Sequence, residues 1–405
     1  MCSLPEQSAC ANLRPMLPKI TAIVIGFGFW HSVQAGDGTP TAINNSGLAI
    51  LQKTPGTALV SPFSINAVMG MVYGGASGST KAEMEKSLGF SDATHEGIAR
   101  ISDDLTKLPS DILSVANRIY VDNGTQIVPD YVKLLKSTYK SPAINTDIQA
   151  NPEKNRVEIN DWISEQTRTR IKDLIPPGAI NTTTRIVLAN CIYIKPKWLD
   201  KFDAEFTKPR PFNESKTQTS MVPTMTGVQH AKYAHESGYT VLGLPYEVPN
   251  LQFLIIVPDK IDGLPAIERK LTGEKLIKFA RLPSEDIEIF LPKLKLTPEP
   301  IELSQTLQSM GIISAFNSSK ADFSKMSALS EEPLYISVVY HKAFLEADET
   351  GTEAAAATAA IMMFGGAISE PPKIPIVRVD RPFLIAIQHI PSGTCLFLGR
   401  VTKID

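Results

Sequence analysis

An alanine-rich stretch between two strand-like segments constrains this chain most. Residues 354–360 read AAAATAA and follow the strand-like segment 335–346. Alanine is the best helix former, so propensity alone predicts a surface helix. However, a loop as long as 349–375 inside a compact domain is usually functional. Side chains this small could equally enter a sheet as a strand, because alternate residues would present almost no bulk.

The hydrophobic pattern elsewhere predicts an α+β fold with large mixed or antiparallel sheets. The segments predicted as helices are 40–53, 65–73 with Ser64 as its cap, a helix capped by Ser79, 153–174 and 301–310. The segments predicted as strands are 57–60, 185–194, 239–244, 251–257, 287–296, 335–346 and 395–401. No linker-like stretch interrupts residues 40–405, which indicates one domain.

The N-terminus resembles a targeting segment. Positive charge precedes the apolar run 20–30, and Val33 and Ala35 put small residues where signal peptidase cuts. The run is too short to span about 30 Å of hydrocarbon. The sequence therefore predicts a signal peptide over residues 1–35, with Met16 as a possible true start.

The mature chain predicted from this pattern is one secreted domain, residues 36–405, extracellular or, in a bacterium, periplasmic. It keeps Cys191 and Cys395, each within an apolar run, and two buried free thiols fit this setting better than a disulfide. The net charge is −2 and basic residues are scattered, which argues against nucleic acid as a partner. No later segment is long and apolar enough to enter a membrane.

Signatures of catalysis are missing from the sequence. It contains no Gly-x-Ser-x-Gly elbow, no P-loop, no His-Glu-x-x-His and no Cys-x-x-Cys. Its six histidines are spread along the chain, whereas metal sites cluster their ligands. We therefore expect no catalytic residues, no metal site and no cofactor.

Several blocks of sequence, in order and at the expected spacing, resemble the serpin family. The strongest is YHKAFLE at 340–346 followed by GTEAAAAT at 351–358. The further blocks are 190–198, 291–295, 321–324, 380–384 and 396–401. The resemblance implies three β-sheets, about nine helices and an exposed reactive-centre loop on a metastable, monomeric fold.

The resemblance also implies a function, inhibition of serine endopeptidases by suicide-substrate trapping, with cysteine endopeptidases left open. The protease cuts the loop, forms an acyl-enzyme, and is trapped when the loop inserts into the central sheet. The hinge residues implied are Glu349, Gly351, Thr352, Glu353, Ala354, Ala355, Ala356, Ala357 and Thr358. The family's opening switch, the shutter, matches at Ser61, Ser64, Asn190 and His341, and the top of the main sheet, the breach, at Trp198. A non-inhibitory member, acting as carrier, chaperone or storage protein, is the alternative.

The scissile bond is placed less sharply than the hinge. The resemblance implies, by counting along the family's hinge from Gly351, that Gly365 lies just before the cut and Gly366 just after it. Chemistry favours Met363 or Phe364, because a large apolar side chain fills a specificity pocket. The expected target is therefore a serine protease with a large-apolar or small-residue pocket, of the chymotrypsin, elastase or subtilisin kind.

Overall fold

A computed structural model describes residues 38–109, 112–329, 334–351 and 374–404. The predicted signal peptide, the hinge from Thr352 onward and the candidate scissile bonds lie outside these residues. The described residues belong to one compact unit. None of the helices among them is long and apolar enough to cross a membrane.

Nine α-helices occur in the described part of the chain, and most of them precede the main run of strands. They are α1 Thr39–Lys53, α2 Pro62–Gly75, α3 Gly78–Leu88, α4 Thr94–Leu105, α5 Pro129–Leu134, α6 Pro152–Gln166, α7 Leu264–Glu268, α8 Gly273–Phe279 and α9 Ser304–Ser309. A π-helical turn, Leu135–Tyr139, continues α5.

Most of the strands of the same residues lie in the second half of the chain. They are β1 Ala58–Val60, β2 Leu113–Asp122, β3 Gln126–Ile127, β4 Ala143–Thr146, β5 Ile186–Ile194, β6 Lys208–Asn213, β7 Thr219–Glu236, β8 Tyr239–Pro245 and β9 Leu251–Pro258. They continue as β10 Ser284–Pro292, β11 Leu294–Leu296, β12 Ile301–Glu302, β13 Ser327–Leu329, β14 Ile336–Ala343, β15 Leu345–Ala347, β16 Ile376–Arg378, β17 Phe383–His389 and β18 Thr394–Val401.

Five strands form the sheet that we call the central sheet, in the order β12-β14-β5-β2-β4. The neighbouring strands β14 and β5 are parallel to each other. Strand β2 runs antiparallel to β5, and β12 runs antiparallel to β14. Short ladders join β11 to β15 and β13 to β3.

Nine other strands form one continuous hydrogen-bonded network. We divide this network into two further sheets, because its long strand β7 changes partners along its length. β7 pairs with β6 at first, then with β10, and finally with β8. We call β6, the first part of β7, β10 and β16 the four-stranded sheet. The rest of β7 with β8, β9, β17, β18 and β1 makes the six-stranded sheet. The predicted α+β fold with three sheets and about nine helices is confirmed.

The apolar core explains why β5 reads as a continuous hydrophobic run. Every residue of β5 is buried, as expected for a strand covered on both faces. One face packs with α6 through Ile159 and Ile163. The opposite face joins the core cluster of α2, a helix that is buried almost all round.

Two predicted helix starts were wrong by a few residues. α2 begins at Pro62, and its cap is Ser61, whose hydroxyl accepts a 3.1 Å hydrogen bond from the Ser64 N–H. Proline suits this first helical position because its missing N–H would have no partner there. α3 begins at Gly78 after Ser77 rather than after Ser79.

Two predicted helices are shorter than expected. α6 ends at Gln166, and the positive φ angles of Arg168, Thr169 and Asp173 stop its continuation. The segment predicted as a helix from residue 301 starts instead as strand β12, which pairs with the end of β14. Tertiary pairing thus overrides the helical pattern in its first residues.

Candidate functional site

The two middle strands of the central sheet hydrogen-bond directly to each other. Seven residue pairs join β5 to β14, from Ile186 beside Ile336 to Ile192 beside Ala343. The two strands are parallel, and the chain leaves their carboxyl ends at Gly351, which bridges to Lys197 just beyond β5. The segment predicted as bait therefore starts at the end of the sheet where both strands finish.

A polar cluster ties this strand pair to the start of α2. His341 of β14 lies opposite Asn190 of β5, with 2.5 Å between His341 Nδ1 and Asn190 Oδ1. The main-chain N–H of Ser61 donates to His341 Nε2 at 3.0 Å. Because a main-chain N–H can only donate, Nε2 is the acceptor, and the proton of the neutral imidazole sits on Nδ1.

Asn117 of β2 completes the cluster, and sequence reasoning missed it. Its Oδ1 accepts from the Ser64 hydroxyl at 3.2 Å and from Asn190 Nδ2 at 2.5 Å. Asn190 Nδ2 also donates to the Ser64 hydroxyl. Asn117 lies directly opposite Asn190 in the β2–β5 ladder, a pairing that no local sequence signal reveals. The cluster thus connects three adjacent strands with one helix.

Burial sets the chemistry of this cluster. Ser61, Ser64, Asn190 and His341 are all 0% exposed, so no substrate can reach them. The arrangement is therefore not a serine–histidine catalytic site, despite its residue types. Burial also disfavours the imidazolium and lowers the pKa of His341 to about 3, so the ring is neutral at physiological pH.

Trp198 fixes the end of the sheet where the loop departs. Its indole N–H donates to the Asp348 carbonyl at 2.7 Å, and its own main-chain N–H donates to the Thr350 carbonyl at 3.1 Å. The ring stacks on Tyr246, with centroids 4.9 Å apart, and is buried. The last described residues before the bait segment are thus held against a buried aromatic group.

Gly351 lies too close to its neighbour for any side chain. Its φ angle is +148°, and a Cβ there would come within 2.4 Å of the Lys197 Cα. Only glycine tolerates both this backbone conformation and such an approach. The glycine at the start of the predicted hinge is therefore a packing requirement in this structure.

Glu349 is held by two side chains from other elements. Lys293 Nζ and the Thr207 hydroxyl each donate to its carboxylate at 2.8 Å. Partial burial opposes ionisation of this carboxyl, but the bonds from Lys293 and Thr207 outweigh it and lower its pKa below the ordinary value. The loop's first end is thereby tied to the residue just before β6 and the residue just after β10.

The structure places the predicted site residues in two groups. One group is the buried cluster of Ser61, Ser64, Asn190 and His341. The other lies near the carboxyl ends of β5 and β14 and contains Trp198, Glu349 and Gly351. The remaining hinge residues, 352–358, and the bond candidates, 363–366, lie outside the described residues. Their roles, and the switch role of the cluster, stay predictions.

Comparisons with known proteins agree with this arrangement. A family model described as Serpin (serine protease inhibitor) matches residues 46–404. Leukocyte elastase inhibitor of Bos taurus is 37% identical over 372 residues, covering 88% of this chain and 96% of its own. Serpin B6 of Macaca fascicularis is 35% identical over 354 residues, covering 85% and 92%. The crystal structure of Serpin48 from the insect Tenebrio molitor has a TM-score of 0.78 and 28% identity, covering 92% and 100%.

The prediction of a secreted protein is contradicted by these comparisons. Leukocyte elastase inhibitor and serpin B6 are intracellular inhibitory serpins, so secretion is not supported. A short apolar run after basic residues matches the signal-peptide pattern, but the pattern alone does not show that the segment directs secretion. The two described cysteines, Cys191 and Cys395, are free and buried.

Proposed function

The chain belongs to the serpin family and is a protease inhibitor rather than an enzyme, and we propose that it traps a serine protease by inserting its cleaved loop between β5 and β14. The protease would attack the segment after Gly351 and form an acyl-enzyme. Insertion would then carry the attached protease along the sheet before the ester is hydrolysed.

The observation that carries this proposal is the direct parallel pairing of β5 with β14. A segment that folds back from Gly351 enters between them from their carboxyl ends and runs antiparallel to both. It would replace one parallel ladder by two antiparallel ladders, and parallel pairing is slightly less stable per residue. Insertion is thus favoured by strand direction as well as by the number of hydrogen bonds.

The composition of the bait segment suits this position. β5 is covered on both faces, so a new strand beside it would be covered on both faces too. Residues 354–360 are alanines with one threonine, so neither face of such a strand would carry bulk. α6 lies over the same strands and would have to shift while the new strand enters.

Specificity is proposed from the residues around the expected cut. Met363 and Phe364 suit a chymotrypsin-like or subtilisin-like pocket, and Gly365 suits the small pocket of elastase-like enzymes. Leukocyte elastase inhibitor, a relative of this chain, is named for such a protease. Trypsin-like proteases are not expected targets, because no lysine or arginine lies between Gly351 and Pro372.

Incubation with chymotrypsin, elastase, subtilisin and trypsin tests the proposal. We expect a complex that survives boiling in detergent with at least one of the first three, and none with trypsin. The C-terminal peptide released from the complex should begin at Phe364, Gly365 or Gly366, as determined by mass spectrometry. Cleavage without any stable complex would favour the non-inhibitory alternative, and a peptide beginning at or after Ile374 would show the assigned bond to be wrong.

A further inference from the structure

The outer face of the four-stranded sheet carries two arginines stacked on one phenylalanine. The guanidinium carbons of Arg378 and Arg210 lie 4.1 and 4.6 Å from the centre of the Phe290 ring. Within the described part of the chain, neither arginine forms an ion pair with an acid. Among the described residues, the buried Arg210 Nε has no hydrogen-bond partner, and neither has the buried hydroxyl of Thr226, which lies opposite Phe290. The two guanidinium groups are thus positioned by packing on Phe290, with no described acid within ion-pair distance.

An apolar row lies beside this stack on the same face. Val228 of β7 and Ile376 of β16 flank Glu288 of β10 in direct register. Val228 is 57% exposed and Ile376 is 55% exposed, which makes them two of the few large apolar side chains in solvent. The next row, Thr226, Phe290 and Arg378, follows two residues along, so both rows share one face.

We infer that this face, formed by Arg210, Arg378, Val228 and Ile376 around the buried Phe290 ring, is a second contact surface for the target protease. It would receive a surface loop in which a carboxylate lies beside an apolar side chain. This inference rests on the proposed function, because it assumes that a protease engages the neighbouring loop.

Continuity with the loop argues for the protease as the occupant. The predicted loop ends at residue 375 and β16 begins at Ile376, so the surface adjoins the loop's second end. From Gly366 to Ile374 the chain spans at most about 28 Å. A protease domain of about 230 residues is about 45 Å across, so a protease on the loop must approach this sheet.

The charge pattern argues for a protein loop rather than a polyanion. Glu288 lies between the two apolar residues, and Asp286 lies in the following row, paired with His230 at 2.9 Å. A nucleic acid or sulfated glycan would meet these acids along with only two arginines. A loop with one carboxylate meets only Glu288 as a like charge, and its apolar part can rest on Val228 and Ile376 on either side of that residue.

The test measures binding of proteases whose catalytic serine is replaced by alanine, so that trapping plays no part. Chymotrypsin, elastase and subtilisin in this form are passed over the immobilised inhibitor. For the tightest binder we expect Arg378→Glu to slow association at least fivefold, because paired surface charges steer encounter. Val228→Ser and Ile376→Ser should speed dissociation about threefold or more.

Matched controls keep the result specific. Lys270→Glu makes the same charge change on an exposed residue after α7, and Ile313→Ser removes another exposed apolar side chain. Both should bind like the wild type. Arg378→Gln, a milder change, should slow association less than Arg378→Glu while keeping the wild-type melting temperature.

Salt dependence gives an independent readout. Raising the salt from 50 to 500 mM should slow association of the wild type more than that of Arg378→Glu, because salt screens exposed charge pairs. Unchanged or faster association of Arg378→Glu, or no measurable binding by the wild type, would overturn the inference. Failure of trapping is a separate result, seen as the lack of a detergent-stable complex with active protease.

Discussion

The main-chain N–H of Ser61 donates a 3.0 Å hydrogen bond to Nε2 of His341, and this contact requires a neutral imidazole. A second proton on Nε2 would place two donors face to face inside a fully buried site. The pKa of His341 is accordingly lowered to about 3. The bond links the start of α2 to the strand beside which the loop is proposed to insert.

Stability should fall as the pH drops below about 6.5. The unfolded chain then binds a proton on this histidine, whereas the native state resists it down to about pH 3. The contribution of His341 to the free energy of unfolding has its full value above pH 6.5. Below that pH it declines by up to about 1.4 kcal/mol per pH unit. Urea midpoints from pH 8 to 4 would show this, and His341→Gln should flatten the profile between pH 6.5 and 4. An equally steep decline in His341→Gln would mean that other groups cause it.

Replacing Asn117 by alanine should destabilise the native state by about 1–3 kcal/mol. The change leaves the buried Ser64 hydroxyl and Asn190 amide short of an acceptor, and such unmet groups carry the full cost of desolvation. Thermal and urea-induced unfolding would measure the loss of stability. Asn123→Ala, at an exposed position just after the same strand, is the control and should change little. Equal midpoints for the two variants would contradict the importance of Asn117.

Thr352→Arg should convert the inhibitor into a substrate. Insertion would carry the arginine into a covered sheet, where an unpaired charge is costly. The protease should then cut the loop and escape, which raises the number of inhibitor molecules consumed per protease inhibited. Thr352→Ser keeps a small side chain and should inhibit like the wild type. An unchanged stoichiometry in Thr352→Arg would argue against loop insertion.

Cleavage of the loop should make the protein more stable. An inserted strand adds hydrogen bonds on both sides over at least the seven-residue length of the β5–β14 ladder. At about 1 kcal/mol each, and allowing for partial cancellation, the melting temperature should rise by about 10 °C or more. Calorimetry of intact and nicked protein would decide this. A lower or equal midpoint after nicking would support the non-inhibitory alternative.

Much of the fold was predictable because its signals are local. The apolar run of β5 and the alternation in β10 identified strands, and the boundaries of α1 were close. The errors at α6 and at residue 301 have a common cause. Hydrophobic periodicity does not register the backbone turn at Arg168 and Thr169 or the pairing of Ile301 with His341.

The sequence alone determined the family, the absence of catalytic motifs and the small residues of the bait segment, since each is a matter of residue identity and order. Only the tertiary structure decided how distant residues combine. Asn117 joins Asn190 because β2 and β5 pair in one register. Arg210 and Arg378 share the Phe290 ring because β6 and β16 flank β7 and β10. The His341 tautomer depends on a donor 280 positions away. Such contacts arise where separate helices and strands pack together, and short stretches of sequence do not reveal which distant elements will meet.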